Sequence, residues 1–132
     1  EVNRIVSRIA RVPEVRQALG ALQRSLGRRG NVVMEGRDIG SVILPDAQVK
    51  VFLTASLDVR AQRRQAELAA NGTPMPLGEI QRIVVEDDRA ATTREVAPLR
   101  RMPDAVVIDS TALTVDQVVD QIVGLVERAR GL

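Results

Sequence analysis

The chain has 132 residues, 45% of them apolar and 27% charged, which suits one globular domain with a real core. It contains no Cys and no His, which excludes disulfides, a thiol nucleophile, a His general base and any Cys- or His-bound metal. Net charge is +2, and of 19 basic residues only Lys50 is a lysine; the planar arginine fork suits phosphate and carboxylate, though codon bias alone could give the same ratio.

Val2, Ile5, Val6 and Ile9 recur at i, i+3, i+4 and i+7, the stripe of an amphipathic helix, and Val12-Pro13 interrupts it. A second helix is predicted from Pro13, with Glu14 in its first turn and an apolar stripe of Val15, Ala18, Leu19, Leu22 and Leu26. Gly27 and Gly30 close it. Val32, Val33 and Met34 predict a short buried strand over 31–35, ending in Glu35-Gly36-Arg37-Asp38. Gly36 and Gly40 allow a sharp turn or a close approach to a ligand. Taken alone, this stretch is either a charged turn with a local Arg–Asp pair or a ligand site at a strand's carboxyl end.

Pro45-Asp46 marks a turn. A second strand is predicted from Val49 to Thr54, apolar without alternation, as in a parallel sheet buried on both faces. Ser56 is a natural N-cap for a helix running to about Ala70, where Asn71-Gly72 stops it. The next helix spans about 78–91, and Ala97-Pro98 breaks the pattern. Ala105 to Asp109 is the third strand. Thr114 and Gln117 form a capping box ahead of a last stripe of Val115, Val118, Val119, Ile122 and Val126, ending at Gly131. Strands alternating with helices predict an α/β fold with a parallel sheet.

No apolar run approaches the roughly 20 residues of a membrane span. No signal peptide precedes the first helix, so the cytoplasm is the expected compartment. Phe52 is the single aromatic residue, which leaves base stacking almost without a platform and argues against nucleic acid as a partner.

Arg60, Arg63 and Arg64 share a helix face one turn after the second strand, at the sheet edge where Arg37 also stands; Arg94 follows the fourth helix. Arginines converging on one edge suggest a polyanion site, and the alternative is a solvated helix face. Phosphoryl transfer suits a chain without His or Cys, because it needs positioning, a metal and arginine charge. It also needs a phosphate-cradling loop, G-x-x-x-x-G-K-[ST]. These 132 residues contain none, and Lys50 lies inside a strand.

At Glu35-Gly36-Arg37-Asp38-Ile39-Gly40 the sequence resembles the bacterial cytidylate kinases, P-loop nucleoside monophosphate kinases. The likeness extends over Leu44-Pro45-Asp46-Ala47-Gln48-Val49-Lys50-Val51-Phe52-Leu53-Thr54-Ala55-Ser56 and Arg60-Ala61-Gln62-Arg63-Arg64. It continues through Thr93-Arg94-Glu95-Val96-Ala97-Pro98-Leu99 and Val107-Ile108-Asp109-Ser110-Thr111, and upstream through Val6-Ser7-Arg8-Ile9-Ala10 and Val12-Pro13-Glu14-Val15-Arg16. It covers only the family's C-terminal portion. The implied fold is a three-layer, P-loop NTPase-like parallel sheet with flanking helices. It is expected to be incomplete here, because the central P-loop strand, between the 31–35 and 49–54 strands, is missing.

The resemblance implies transfer of the γ-phosphate of ATP to CMP or dCMP, with ATP and Mg2+ as cofactors and a monomeric enzyme acting on small molecules. It implies substrate-side helices over 1–30, a core from 31–59 and 95–132, and a lid over 60–94. Ser7, Arg16 and Asp38 match positions that recognise cytosine, Arg16 donating to the ring's acceptors and Asp38 accepting from its amine. Gly36 and Arg37 join the substrate-binding set, Arg37 at the substrate phosphate. Glu35 matches an acid that reaches the magnesium through water. Arg60, Arg63 and Arg64 match the start of the lid over ATP, and Arg94 an arginine facing the transferring phosphates; these four form the implied catalytic set. Two positions depart from the family pattern: Asp87 stands where an arginine is expected, and Ala91 where an aspartate is expected. Without a phosphate loop the isolated chain is expected to be inactive. The alternative readings are a non-catalytic α/β module that binds a nucleotide or RNA phosphates, and a structural remnant with no ligand.

Overall fold

The computed structural model describes residues 9, 12–93, 95 and 98–131, so the helix predicted from Val2 lies outside the described residues except for Ile9. The chain divides into two compact units, 1–46 and 47–132.

In the first unit, helix α1 spans Pro13–Gly27. Pro13 stands at the helix start, where its missing N–H breaks no intrahelical bond, and Glu14 sits beside the positive end of the dipole. Gly20 is the buried residue of α1; a Cβ there would lie 3.4 Å from Ile43 Cδ1. At Gly27 a Cβ would overlap the Leu44 side chain, so the end of the helix can pass this close only as glycine. The chain then reverses through Gly30 and Asn31, with φ of 73° and 51°. Leu19 and Leu22 are exposed, so the stripe expected to face a core is only partly covered within this unit.

The strand predicted over 31–35 does not form. Residues 32–35 belong to no ladder, and Val33 is 93% exposed. A strand needs a neighbour for its N–H and C=O groups, and among the described residues none pairs with this segment. Beta-branched composition expresses a preference for extended backbone but supplies no partner. After it comes a single π turn, Ile39–Ile43, closed by Ile43 N to Asp38 O at 3.2 Å and Leu44 N to Ile39 O at 2.7 Å. Such five-residue spacings often occur at functional sites.

In the second unit the order is β1 (Val51–Thr54), α2 (Leu57–Ala70), α3 (Leu77–Thr93), β2 (Val106–Asp109) and α4 (Val115–Arg130). β1 and β2 run parallel, with Val51 opposite Val106 and Thr54 opposite Asp109. The α/β class with parallel pairing therefore holds, but the described sheet has two strands rather than the three expected. Ile108 is buried, whereas Leu53, Val106 and Val107 are exposed, so the unbroken apolar runs are covered on one side only.

Ser56 caps α2, its Oγ accepting from Val59 N at 3.3 Å, and Gly72 ends the turn after it at φ 73°. Helices α2 and α3 pack together, with Ala61 and Ile80 fully buried. The predicted capping box of α4 is present in both halves: Gln117 N donates to Thr114 Oγ1 at 3.2 Å, and Thr114 N to Gln117 Oε1 at 2.9 Å. Gly131 closes α4 in the left-handed conformation at φ 75°. Among the described residues no helix is long and apolar enough to cross a membrane.

Candidate functional site

In the first unit, α1 and the π turn bring Arg16 and Asp38 together. Arg16 Nη2 donates to Asp38 Oδ2 across 22 residues of sequence, and the two side chains are 22% and 14% exposed. Asp38 thus pairs with Arg16 of the preceding helix and not with its neighbour Arg37. Its backbone carbonyl accepts from Val42 N at 2.9 Å and Ile43 N at 3.2 Å, so the π turn fixes the residue that carries the carboxylate. The pair uses one carboxylate oxygen, Oδ2; Oδ1 can accept from a donor outside.

Gly36 serves this arrangement. Its φ is 158°, and a Cβ there would stand 2.9 Å from Ile39 Cγ1. Any larger residue would push the segment away from the turn that holds Asp38. Glu35 and Arg37 are both exposed, and Arg37 makes no ion pair among the described residues. Gly40 lies inside the π turn without positive φ, so its predicted role in a sharp turn is not used.

In the second unit, the three arginines expected to share one open face each have a separate partner. Arg60 forms a bidentate pair with Asp88 of α3, at 2.8 and 2.7 Å, and its Nε donates to the Ala55 carbonyl at 3.2 Å. The hydrogen bond that Arg60 donates to Asp88 pushes the Arg60 pKa above its already high ordinary value, against the opposing effect of burial. Arg63 donates to Ser110 Oγ at 3.0 Å and to Ser110 O at 2.7 Å. Arg64 pairs with Glu67 one turn on, at 2.7 Å. Ser7 and Arg94 lie outside the described residues.

Asp88 and Ser110 escaped the sequence reading as partners. Ser110 belongs to a stretch that carries the resemblance and Asp88 does not, but the contacts span 28 and 47 residues, and no local rule links such positions. The departure at Ala91 acquires a packing meaning: the residue is buried, and its carbonyl accepts from Leu99 N at 2.8 Å. Lys50, the single lysine, pairs with Asp104 and draws that carboxyl below its ordinary value through the hydrogen bond.

Among the described residues no group of three or more acids is arranged to hold a metal ion. Glu35 offers one exposed carboxylate. That suits a magnesium ion, which keeps several waters and is held mainly by substrate phosphates with one or two carboxylates.

Comparison with known proteins gives one consistent result. The cytidylate kinase family model matches residues 1–128. The chain is 44% identical over 128 residues to a cytidylate kinase of Carboxydothermus hydrogenoformans, an alignment that covers 97% of this chain and 58% of that protein. It is 45% identical over 131 residues to a cytidylate kinase of a Geobacillus species, covering 99% and 58%. Against a bifunctional pantoate ligase/cytidylate kinase of a Synechococcus species it is 51% identical over 125 residues, covering 95% of this chain and 23% of that one. The chain spans 58% of the length of the first two relatives and matches their C-terminal part.

Proposed function

The chain belongs to the cytidylate kinase family, and from that premise we propose that it is the CMP-binding and lid-bearing part of an ATP-dependent (d)CMP kinase. The reaction moves the γ-phosphoryl group of ATP to a phosphate oxygen of CMP or dCMP, giving ADP and CDP or dCDP. The observation that carries this reading is the Arg16–Asp38 pair. A donor fork beside a carboxylate complements cytosine, which offers acceptors at N3 and O2 and a donor at N4. Uracil presents an acceptor where cytosine has its amine, so Asp38 repels it. Ser7 joins the base contacts.

Arg37, exposed beside Asp38, takes the substrate phosphate, and the Gly36 backbone allows that approach. Arg94 serves the transferring phosphates, and Arg60, Arg63 and Arg64 belong to the lid. A bound magnesium ion would supply charge compensation for the phosphates. Glu35 is the acid this chain offers it. For the triphosphate the donor set supplies arginines but no G-x-x-x-x-G-K-[ST] cradle, so these residues fit ATP only in part. By themselves the 132 residues bind CMP and do not turn it over.

The commitment of Arg60, Arg63 and Arg64 to Asp88, Ser110 and Glu67 weighs against an open basic face for RNA. The test is calorimetric titration of the purified chain with CMP, dCMP and UMP, beside a coupled assay for CDP. Binding of CMP in preference to UMP, without turnover, is expected. Equal binding of both nucleotides overturns the base site. ATP- and magnesium-dependent CDP formation overturns the inactivity assigned to the isolated chain.

A further inference from the structure

Ser110 is a buried polar residue, 4% exposed, placed just after β2, and every polar atom it has is engaged. Its N–H donates to the Thr54 carbonyl at 2.7 Å, and its Oγ–H donates to the same carbonyl at 3.0 Å. Arg63 completes the set by donating to Ser110 Oγ and Ser110 O. Next to it, Thr111 Oγ1 accepts from Ser56 N at 2.9 Å and donates to Asp109 Oδ1 at 2.5 Å. The carboxyl ends of β1 and β2 and the first turns of α2 are thereby closed into one polar junction. Arg60 sits one turn before Arg63, with its Nε on the Ala55 carbonyl of the same junction.

We propose that Arg63 is a positioning residue for the lid and not a nucleotide ligand: its fork clamps Ser110 and so sets where Arg60 stands. A lysine cannot replace it. Lysine keeps the charge but cannot reach a hydroxyl and a carbonyl with two parallel N–H groups. If Arg63 served as a phosphate ligand, Ser110 would be irrelevant to its contribution, and the losses in the two single variants would add. The functional consequence rests on the proposed kinase reading; the clamp itself does not.

The experiment uses the whole chain and inorganic tripolyphosphate as the probe. Affinity is measured by calorimetry for wild type, Arg63→Gln, Arg63→Lys, Ser110→Ala and the Arg63→Gln/Ser110→Ala double variant. Amide hydrogen exchange at Ser110 and Ser56 is followed in the same proteins. Arg63→Lys is expected to bind the probe as poorly as Arg63→Gln, roughly tenfold below wild type, the scale of a hydrogen bond to a charged group. The double variant is expected to bind no worse than Arg63→Gln. Exchange at the Ser110 amide should quicken by about tenfold or more in both Arg63 variants, because the junction opens locally. Wild-type affinity in Arg63→Lys, or additive losses in the double variant, overturns the proposal. If wild type does not bind tripolyphosphate, the lid reading fails, and the exchange rates still decide the clamp: unchanged exchange in the Arg63 variants overturns it. Should Arg63→Gln not fold, Ser110→Ala, which deletes one acceptor and keeps the carbonyl, carries the same comparison with Arg63→Lys.

Discussion

Replacing Asp38 with alanine separates base recognition from structural pairing. The Asp38 carboxylate has two duties in the proposed site: it holds Arg16 through Oδ2, and its second oxygen is available to the cytosine amine. Its side chain is only 14% exposed, so the base contact forms where water screens it weakly. A good base-edge contact discriminates by about 1–3 kcal/mol. At 1.4 kcal/mol per decade, this weakens CMP binding by roughly 5- to 150-fold. UMP should behave differently, because its ring presents an acceptor to Asp38. Removing the carboxylate deletes a repulsion, so UMP binding stays constant or improves and the CMP/UMP ratio falls by at least the CMP factor. Calorimetry with both nucleotides on wild type and Asp38→Ala reads the ratio, and a thermal melt confirms that the variant folds. Equal losses for CMP and UMP would refute the reasoning: Asp38 would then act only as the partner of Arg16, and selectivity would have to arise elsewhere.

Ile80, 1% exposed, is the largest fully buried side chain described, so Ile80→Ala should cost about 2–5 kcal/mol in a urea titration, a large share of the roughly 5–15 kcal/mol of a typical domain. A cost below 1 kcal/mol would mean that α2 and α3 reclose over the gap. Thr114→Ala removes the cap oxygen of α4 and should destabilise by about 0.5–2 kcal/mol, with exchange quickening first at Gln117 N. The hydrogen bonds from Thr111 hold the Asp109 carboxyl below its ordinary value, and Lys50 does the same to Asp104. In the acid range the unfolded chain therefore binds protons that the folded chain does not. Stability from both groups is complete above the ordinary carboxylate value of about 4 and is lost as pH falls through their lower folded values. Melting temperature should be level from about pH 7 to 5 and drop below about 4. Asp109→Asn should lessen that drop, and an unchanged acid limb would remove Asp109 from the account.

Local chemistry determined much of this protein from sequence alone. The start of α1 at Pro13, the Ser56 cap, the stop at Asn71-Gly72 and the Thr114/Gln117 box each rest on contacts within a few residues, and all are legible in the sequence. Alternating apolar runs and helical stripes gave the α/β class for the same reason. The stretch from Glu35 to Asp38 was singled out by its composition, and the family followed from it and its companions. Tertiary structure decided the rest. The apolar run at 32–35 became no strand, because a ladder needs a neighbour that composition cannot supply. The π turn at 39–43 was invisible, since five-residue hydrogen bonding leaves no recognisable residue pattern. Most of all, partner choice was settled in three dimensions. Asp38 passed over adjacent Arg37 for Arg16, and three arginines at helical spacing parted to Asp88, Ser110 and Glu67. Spacing fixes which side chains share a face; which charge each one meets depends on what the fold brings opposite it.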